Sequence, residues 1–447
     1  MSKWQDMYKA KLTSPEEAVG SIRDNDKIMC GSGSGTPAAL LNALFDRADE
    51  LNNVQFAGLI MLAPLFKILS VEKMRHIEFC NQYATPFDRP ALDAGICTHS
   101  PFHFSEIPRT TFEFNNYKKI FAQVSPMDKN GFFSCGISGN FLDCLHYIDE
   151  LVLEVNAKQP KVHGMNFYHV GDPRIQRIVE VDAPVMAIPP DPVTDTDRTI
   201  AEHVVKLIHD GDNLQLGIGA VPNAIGEALL EHGRKNLGCY TEMIPDAVMS
   251  LFEAGLLDNS RKQHFPFKFN AFFAAGSSRL YEWLDDNSSI YLAPISVNND
   301  PTNIAKNDNV VSINATLEID IYGQCCSESL GNKHYSATGG QVDFNRGALL
   351  SRGGRSIIAA HSTVMDKKKG GLVSRIVPQL KPGSPVTLTR SDVMYVATEY
   401  GCVCLKGKTL RQRAQELISI CHPDFRADLR NYAKEIKYFI LPEHDPA

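Results

Sequence analysis

The carboxylate best placed to do chemistry in this sequence is Glu242, in the run LGCYTEMIPDAV of residues 237–248. One short strand earlier lies a glycine-rich loop in which Gly217 and Gly219 precede a helix. Free backbone amides at the start of a helix favour a phosphate or another anion. A carboxylate near such a loop could therefore act on an anionic ligand, although a glutamate after a strand is more often an N-cap, a surface charge or an ion-pair partner.

The elements around this loop occur twice in the chain. Residues 21–45 and 207–230 each contain an acidic turn, a short apolar strand, a glycine-rich loop, a proline and an amphipathic helix. Pro37 and Pro222 stand where each helix is expected to begin, because a proline at the first helical position loses no hydrogen bond. The repeat predicts two related α/β halves.

The loop at Gly217 and Gly219 satisfies only part of a dinucleotide-binding fingerprint, because Pro222 occupies the position of the third glycine. An NAD-dependent oxidoreductase therefore stays open as an alternative, and so does a loop whose glycines serve only close strand-to-helix packing. The chain has no G-x-S-x-G, no H-E-x-x-H and no Cys/His spacing typical of a metal site. The absence of these motifs argues against serine-hydrolase chemistry and against a bound metal.

Composition indicates an ordinary globular protein of two or three domains. The chain has 447 residues, 43% hydrophobic and 22% charged, with a net charge of -7. That charge predicts no attraction to nucleic acid or to an anionic membrane. The beginning of the chain has no signal-like apolar region and no later stretch is long enough to span a membrane, so we expect a cytoplasmic protein. The eleven scattered cysteines indicate reduced thiols.

A domain boundary is predicted at residues 187–199, AIPPDPVTDTDRT, because three prolines and three aspartates disfavour both helix and strand. The predicted domains are therefore residues 1–186 and 200–447. Strand-like runs alternate with helical stretches in the first domain, which predicts a largely parallel sheet covered by helices. The expected strands are Lys27–Cys30, Val54–Leu62, Ile77–Gln82, Lys119–Val124 and Glu150–Val155.

Three further patterns lie in the second half. Residues 311–321, VSINATLEIDI, alternate apolar and polar residues and predict one strand with one buried face. Gly339 and Gly340 permit close approach of the backbone to a ligand. Apolar spacing from Thr409 to Cys421 predicts an amphipathic helix with Thr409 as its N-cap.

Taken together, these segments resemble the acetyl-CoA hydrolase/transferase family, most closely its 4-hydroxybutyrate and butyrate CoA-transferase branch. The resemblance extends over nearly the whole chain and implies an α/β fold of two Rossmann-like CoA-transferase domains with largely parallel sheets. It also implies an active site in the cleft between the domains. The matching blocks are HFSEIPRT (103–110), QVSPMDKNGFFSCG (123–136), LQLGIGAVPNAI (214–225), YTEMIPDAVMSLFEAG (240–255), NDNVVSINATLEIDIYGQ (307–324), TGGQVDFNRGALLSRGG (338–354) and ATEYGCVCLKGKTLRQRA (397–414).

By this resemblance Glu242 is the nucleophile, which would form an acyl-glutamyl anhydride and then a glutamyl-CoA thioester. Gly339 or Gly340 would donate a backbone N–H to the oxyanion, and Gly340 would also contact CoA. Gln215 and Asn314 are expected to make polar contacts around the thioester. Two loops complete the expected site: Gly219, Ala220, Val221, Pro222 and Asn223 line the CoA site, and Gly31, Gly33 and Gly35 border the acyl pocket.

The resemblance implies an acyl-CoA:carboxylate CoA-transferase that exchanges acetate with a four-carbon acyl group. The expected partners are acyl-CoA and carboxylate substrates and a second copy of the chain, with no tightly bound cofactor. Tyr240, Pro245 and Ala247 depart from the residues usual around the T-E-M motif, which leaves the acyl preference open. The alternatives are an acyl-CoA hydrolase that uses the same glutamate, a CoA-binding protein without catalysis, and the oxidoreductase considered above.

Overall fold

The structure of the protein is a computed structural model that describes residues 3–61, 70–368 and 370–445. In these ranges no helix has the length and apolar character needed to cross a membrane. The described residues form α-helices at Lys3–Lys11 (α1), Pro15–Val19 (α2), Ala38–Asp46 (α3), Val71–Met74 (α4), Arg89–Asp93 (α5), Asp195–Val205 (α6), Ala220–His232 (α7), Asp246–Glu253 (α8), Ser278–Leu284 (α9), Ile295–Asn298 (α10), Pro301–Ile304 (α11), Gln341–Leu350 (α12), Leu410–Ser419 (α13) and Pro423–Glu435 (α14).

The strands alternate with these helices along the chain. They span Lys27–Cys30 (β1), Val54–Gly58 (β2), Ile77–Asn81 (β3), Thr98–His99 (β4), Lys119–Val124 (β5), Phe132–Ser134 (β6), Glu150–Asn156 (β7), Phe167–His169 (β8), Ile175–Val181 (β9), Asn213–Gln215 (β10), Gly238–Cys239 (β11), Met243–Ile244 (β12), Phe269–Ala271 (β13), Phe273–Ala274 (β14), Ile290–Leu292 (β15), Val310–Asn314 (β16), Glu318–Asp320 (β17), Cys325–Cys326 (β18), Ser329–Leu330 (β19), Lys333–His334 (β20), Arg355–Ala359 (β21), Thr363–Asp366 (β22), Gly371–Ser374 (β23), Ile376–Val377 (β24), Tyr395–Thr398 (β25) and Gly401–Cys404 (β26).

The described residues divide into two compact units. The first unit is drawn from Met1–Pro189, Thr241–Asp246 and Lys268–Asp300, and the second from Pro190–Tyr240, Ala247–Phe267 and Pro301–Ala447. These units differ from the continuous domains 1–186 and 200–447 expected from the sequence, and Glu242 lies in the first unit. The physical reason is strand pairing, because β12, directly after Glu242, pairs in parallel with β14 of the same unit.

Within the described ranges of the first unit, seven parallel strands form one sheet in the order β4-β3-β2-β1-β5-β7-β9. Every residue of β7 is buried, as expected for a parallel strand covered on both faces. Alternate residues enter two cores: Ile28 and Cys30 pack with α2 and α3, whereas Met29 packs on the other face. The predicted parallel sheet is therefore confirmed, although β2 ends at Gly58 and Leu62 lies outside the described residues.

In the second unit, six of the described strands form a sheet in the order β11-β10-β16-β21-β25-β26. The neighbours are parallel except β25 and β26, which are antiparallel. The two predicted copies of strand, loop and helix correspond to β1 with α3 and to β10 with α7. Pro37 is the N-cap of α3, whereas Pro222 is the third residue of α7, still in the first turn where an N–H has no helical partner.

Residues 311–321 do not form the single strand that their alternation predicted. β16 ends at Asn314 and β17 begins at Glu318, and between them Ala315 is exposed while Thr316 is buried. The Thr316 hydroxyl donates to the carbonyls of Glu318 (3.0 Å) and Cys326 (2.9 Å), which satisfies a polar side chain inside the protein. The hydrogen bonds of Thr316 therefore stabilise a break between β16 and β17 that the apolar alternation did not predict.

Two helix starts, one predicted and one not, show how caps decide local structure. Thr409 caps α13 in a capping box with Gln412, as predicted. The segment 187–199 was expected to resist helix, but Thr194 caps α6 and the last five residues of the segment are helical. Asp195 and Asp197 lie in the first turn of α6, where negative side chains stabilise a helix.

Candidate functional site

Glu242 lies in the first unit, immediately before β12. Its carbonyl oxygen accepts hydrogen bonds from the N–H groups of Phe272 (2.9 Å) and Phe273 (3.3 Å), and the preceding Thr241 N–H donates to the carbonyl of Asn270 (2.9 Å). The backbone at the glutamate is therefore fixed by short strands rather than held in a loose loop. A fixed backbone limits the directions that the carboxylate can take.

Two buried asparagines hold the side chain of Glu242. Asn299 Nδ2 donates to Glu242 Oε2 at 2.6 Å. Asn298 Nδ2 donates to Asn299 Oδ1 at 3.1 Å and to the carbonyl of Thr241 at 2.9 Å. Asn298 is 1% exposed and Asn299 is 0% exposed, so both amides are locked at the end of α10. An amide donor orients a carboxylate without cancelling its charge, which suits a nucleophile.

Sequence reasoning missed Asn298 and Asn299. Asn299 stands 57 residues after Glu242 in the chain, and Asn298 directly precedes it, so both are beyond the reach of any local pattern. The available signal was a pair of adjacent amides, Asn298-Asn299, after a short apolar run, but such a pair is equally typical of a turn.

The loop around Gly217 and Gly219 lies in the second unit, between β10 and α7. Gly219 is the N-cap of α7 at φ +122°, a conformation that favours glycine, and no side chain among the described residues caps this helix. A Cβ placed on Gly217 would meet nothing within 4 Å. The predicted CoA-site residues Gly219, Ala220, Val221, Pro222 and Asn223 are all half-buried along this loop and helix start. The geometry therefore leaves the start of α7 accessible to an anion.

The first copy of the repeat differs at the equivalent place. At the start of α3, the N–H groups of Ala39 (3.0 Å) and Leu40 (3.1 Å) donate to Glu154 Oε2. Glu154 is 1% exposed, and burial raises the pKa of its carboxyl group. The helix start that could bind an anion is thus occupied by a side chain of the protein itself.

The glycines expected at the acyl pocket, Gly31, Gly33 and Gly35, lie in a buried loop of the first unit. A Cβ on Gly35 would come 1.5 Å from Ser138 Oγ, so only glycine fits there. A Cβ on Gly33 would lie 3.7 Å from the ring of Phe273, whose N–H donates to the Glu242 carbonyl. The structure therefore brings this loop close to β14, which pairs with the strand that follows Glu242.

The structure brings together Gln215 and Asn314, at the carboxyl ends of the neighbouring strands β10 and β16. Gln215 Oε1 accepts from Ser312 Oγ (2.9 Å), the Ile313 N–H (3.1 Å) and Asn314 Nδ2 (3.0 Å). Three donors on one oxygen fix the amide orientation. Gln215 Nε2 has no hydrogen-bond partner in the part of the chain that the structure describes, so it remains a donor for a ligand.

Gly339 and Gly340 lie near the same strand ends. Gly339 has φ +56° and Gly340 is the N-cap of α12. The next residue, Gln341, donates through Nε2 to the carbonyl of Ala315 at 2.7 Å, and Ala315 follows Asn314. In the described ranges, no group of three or more His, Cys, Asp and Glu side chains is arranged to hold a metal ion.

Lys262 supports the chain that leads to Glu242. Its Nζ donates to the carbonyl of Cys239 at 2.8 Å and lies 5.4 Å from the ring centroid of Tyr240. Burial lowers the pKa of Lys262 to about 7. A lysine buried in this way can change its charge near neutral pH.

Family models and individual relatives both place this chain among the same group of proteins. The acetyl-CoA hydrolase/transferase N-terminal domain matches residues 1–190, and the C-terminal domain of the same family matches residues 276–433. The succinyl-CoA:cyclohexane-1-carboxylate CoA transferase of Geobacter metallireducens is 39% identical over 96% of this chain and 96% of its own length. The 4-hydroxybutyrate coenzyme A transferase of Clostridium kluyveri is 38% identical over 97% of this chain and 99% of its own.

Two solved structures share the fold. RipA from Yersinia pestis superimposes with a TM-score of 0.89 at 36% identity, covering 98% of this chain and 100% of RipA. The 4-hydroxybutyrate CoA-transferase from Porphyromonas gingivalis gives a TM-score of 0.79 at 33% identity, covering 97% of this chain and 100% of that one. The chain therefore belongs to the acetyl-CoA hydrolase/transferase family, on the CoA-transferase branch that its motifs indicated.

Proposed function

We propose that this protein is an acyl-CoA:carboxylate CoA-transferase in which Glu242 is the covalent nucleophile. The observation that carries the proposal is the geometry of this carboxylate, held at 2.6 Å by Asn299 on a backbone fixed by strand hydrogen bonds. The relatives support it, since those at 35–39% identity are named CoA-transferases. The sequence resemblance assigns the same role to Glu242.

The proposed reaction conserves the thioester bond at each exchange. Glu242 attacks the acyl-CoA carbonyl, the C–S bond breaks, and CoA thiolate leaves behind an acyl-glutamyl anhydride. The thiolate then attacks the glutamyl carbonyl, which releases the acyl group as a carboxylate and leaves a glutamyl-CoA thioester. A second carboxylate attacks that thioester, and the returning thiolate takes its acyl group and regenerates Glu242. Every proton and electron pair balances without water or an oxidant.

The second unit would bind CoA in this proposal. The accessible start of α7 suits a phosphate of CoA, whereas the start of α3 is closed by Glu154. Gly339 or Gly340 would donate to the oxyanion, and the fixed Gln215 would present Nε2 to the same region. Asn314 would act chiefly by orienting Gln215, since its Nδ2 donates to Gln215 and to Ser312.

The proposed substrates are acetate or acetyl-CoA on one side and a four-carbon acyl group on the other. The butyryl-CoA:acetate CoA-transferase of Anaerostipes caccae, 37% identical over 95% of this chain, supports that choice. An acyl-CoA hydrolase is the second candidate, because acetyl-CoA hydrolases of Kluyveromyces lactis (29% over 62% of this chain) and Candida glabrata (25% over 98%) also match. Water would then intercept the glutamyl intermediate.

Chromatography of all CoA species after mixing the protein with butyryl-CoA, with and without acetate, tests the proposal. We expect acetyl-CoA to appear only with acetate while total thioester stays constant. Free CoA that accumulates without acetate would indicate the hydrolase instead. Glu242→Gln should reduce transfer to background while Glu435→Gln, at an exposed position of α14, keeps it. Full activity in Glu242→Gln would contradict the proposed nucleophile.

A further inference from the structure

The carboxyl edge of the second unit's sheet carries a residue that neither the motifs nor the proposed reaction uses. Parallel strands β10, β16, β21 and β25 end at this edge, where open α/β sheets bind their ligands. Gln215 and Asn314 end the first two of these strands. Ser362 follows β21 and Glu399 follows β25, so the loops at this edge place further polar groups beside the predicted site.

Arg375 is fixed to this edge by its backbone. Its N–H donates to the carbonyl of Ser362 at 2.8 Å, and its own carbonyl accepts from the Ile319 N–H at 2.8 Å. It stands between β23 and β24, so neighbouring strands hold it on both sides. A backbone anchored in this way lets the long side chain reach a ligand with less loss of conformational freedom.

The guanidinium of Arg375 makes no hydrogen bond and no ion pair with any described residue. It is nevertheless partly buried, and burial lowers its pKa, with the charges of Glu399 and Glu318 acting in the opposite direction. Arginine stays protonated at neutral pH even so. Arg375 is therefore a partly desolvated cation whose five N–H donors have no acceptor among the residues that the structure describes.

The two nearby carboxylates are engaged elsewhere. Glu399 accepts from Ser362 at both oxygens, from the hydroxyl at 2.5 Å and from the N–H at 2.9 Å. Glu318 Oε1 pairs with Lys381 Nζ at 2.5 Å. The local charges of these four side chains cancel, so the site does not repel an incoming anion. The N–H donors of the Arg375 guanidinium then favour a ligand that accepts hydrogen bonds.

We propose that Arg375 binds an oxyanion of a substrate at the carboxyl edge of the second unit's sheet. The planar guanidinium fork matches a carboxylate or a phosphate through two parallel hydrogen bonds. Under the proposed function, on which the identity of the ligand rests, the oxyanion is either the carboxylate acceptor or a phosphate of CoA. Both ligands present oxyanions to the guanidinium, and a truncated substrate that lacks the phosphates of CoA distinguishes between them.

The test compares Arg375→Gln and Arg375→Lys with Arg390→Gln, an exposed arginine of the same unit. Calorimetry measures the binding of CoA, acetate and butyrate to each protein, and kinetics gives KM for butyryl-CoA, for butyryl-pantetheine and for acetate. We expect Arg375→Gln to weaken one ligand about ten- to a hundredfold with kcat little changed, because a charge-assisted pair of hydrogen bonds is lost. Arg375→Lys should recover part of the loss as a point charge.

A loss seen with CoA and butyryl-CoA but absent with butyryl-pantetheine would assign the site to a phosphate. A loss confined to acetate and butyrate would assign it to the carboxylate acceptor. If neither ligand is weakened beyond the effect of Arg390→Gln, the proposal fails. It also fails if Arg375→Gln only lowers the unfolding temperature, since Arg375 would then be a structural partner of Glu318. Because binding is measured directly, the test remains valid even if no transfer activity is found.

Discussion

At the scale of single residues, the carboxylate of the candidate nucleophile is oriented by a neutral amide. Asn299 orients Glu242, and Asn298 holds Asn299 in turn. A cationic partner would lower the energy of the carboxylate and make it a poorer nucleophile, whereas an amide fixes its direction at a smaller cost to reactivity. The pair of asparagines therefore orders the Glu242 side chain through neutral amide donors.

Replacement of Asn299 tests this role. Asn299→Ala should lower kcat about ten- to a hundredfold with a smaller effect on KM, because a hydrogen bond to a charged group contributes about 1.5–3 kcal/mol. Steady-state kinetics with butyryl-CoA and acetate gives both constants. Asn431→Ala, at an exposed position of α14, is the matched control. An Asn299→Ala enzyme with the kcat of this control would show that Asn299 does not orient the nucleophile.

At the scale of elements, the two copies of strand, loop and helix have diverged in how the helix begins. No side chain in the described ranges caps the start of α7, whereas the buried carboxylate of Glu154 caps the start of α3. Gln123 Nε2 also donates to Glu154, at 2.9 Å. In the first unit the motif thus forms an internal structural contact that the described residues of the second unit do not form at α7.

Removal of the internal carboxylate should destabilise the first unit. Glu154→Ala leaves two buried donors, from Leu40 and Gln123, and the partly buried N–H of Ala39 without their acceptor, so we expect a loss of about 2–4 kcal/mol. Chemical unfolding followed by circular dichroism measures the change. Glu435→Ala should stay within about 0.5 kcal/mol of the parent protein. Equal stability of the two variants would mean that Glu154 is not a cap of α3.

At the scale of the whole molecule, the chain interleaves its two units. Segments Thr241–Asp246 and Lys268–Asp300 belong to the first unit although the chain around them belongs to the second. Lys262 lies in one of the intervening segments and binds the Cys239 carbonyl, three residues before Glu242. Its titration therefore links the stability of the folded protein to pH.

The sign of this linkage follows from the direction of the shift. The pKa of Lys262 falls from 10.5 to about 7 on folding, because burial disfavours the charged form. Between these values the unfolded chain binds a proton that the folded chain lacks, so stability rises with pH by about 1.4 kcal/mol per unit. Below about pH 7 this contribution to the slope vanishes. The free energy of unfolding of Lys262→Met should not show this rise with pH. Chemical unfolding of both proteins at pH 7, 8 and 9 measures it, and an equal dependence of the free energy of unfolding on pH in the two proteins would contradict the prediction.

The sequence by itself determined the features that depend on neighbouring residues. Sequence patterns predicted the strand Lys27–Cys30, the cap at Thr409, the repeated glycine loops and the place of Glu242 within the T-E-M motif. Helix caps, proline positions and apolar spacing act within a few residues, so their physics is visible in the sequence. The alternation of strands and helices predicted the parallel sheet of the first unit, and the family resemblance implied parallel sheets in both units.

Tertiary structure alone decided which distant side chains meet. Asn299 reaches Glu242 across 57 residues, and Glu154 reaches the start of α3 across 115. The placement of Thr241–Asp246 in the first unit follows from pairing with β14, not from any signal in those six residues. Long-range strand pairing and the burial of polar groups are properties of the folded chain, because only folding determines which donor faces which acceptor.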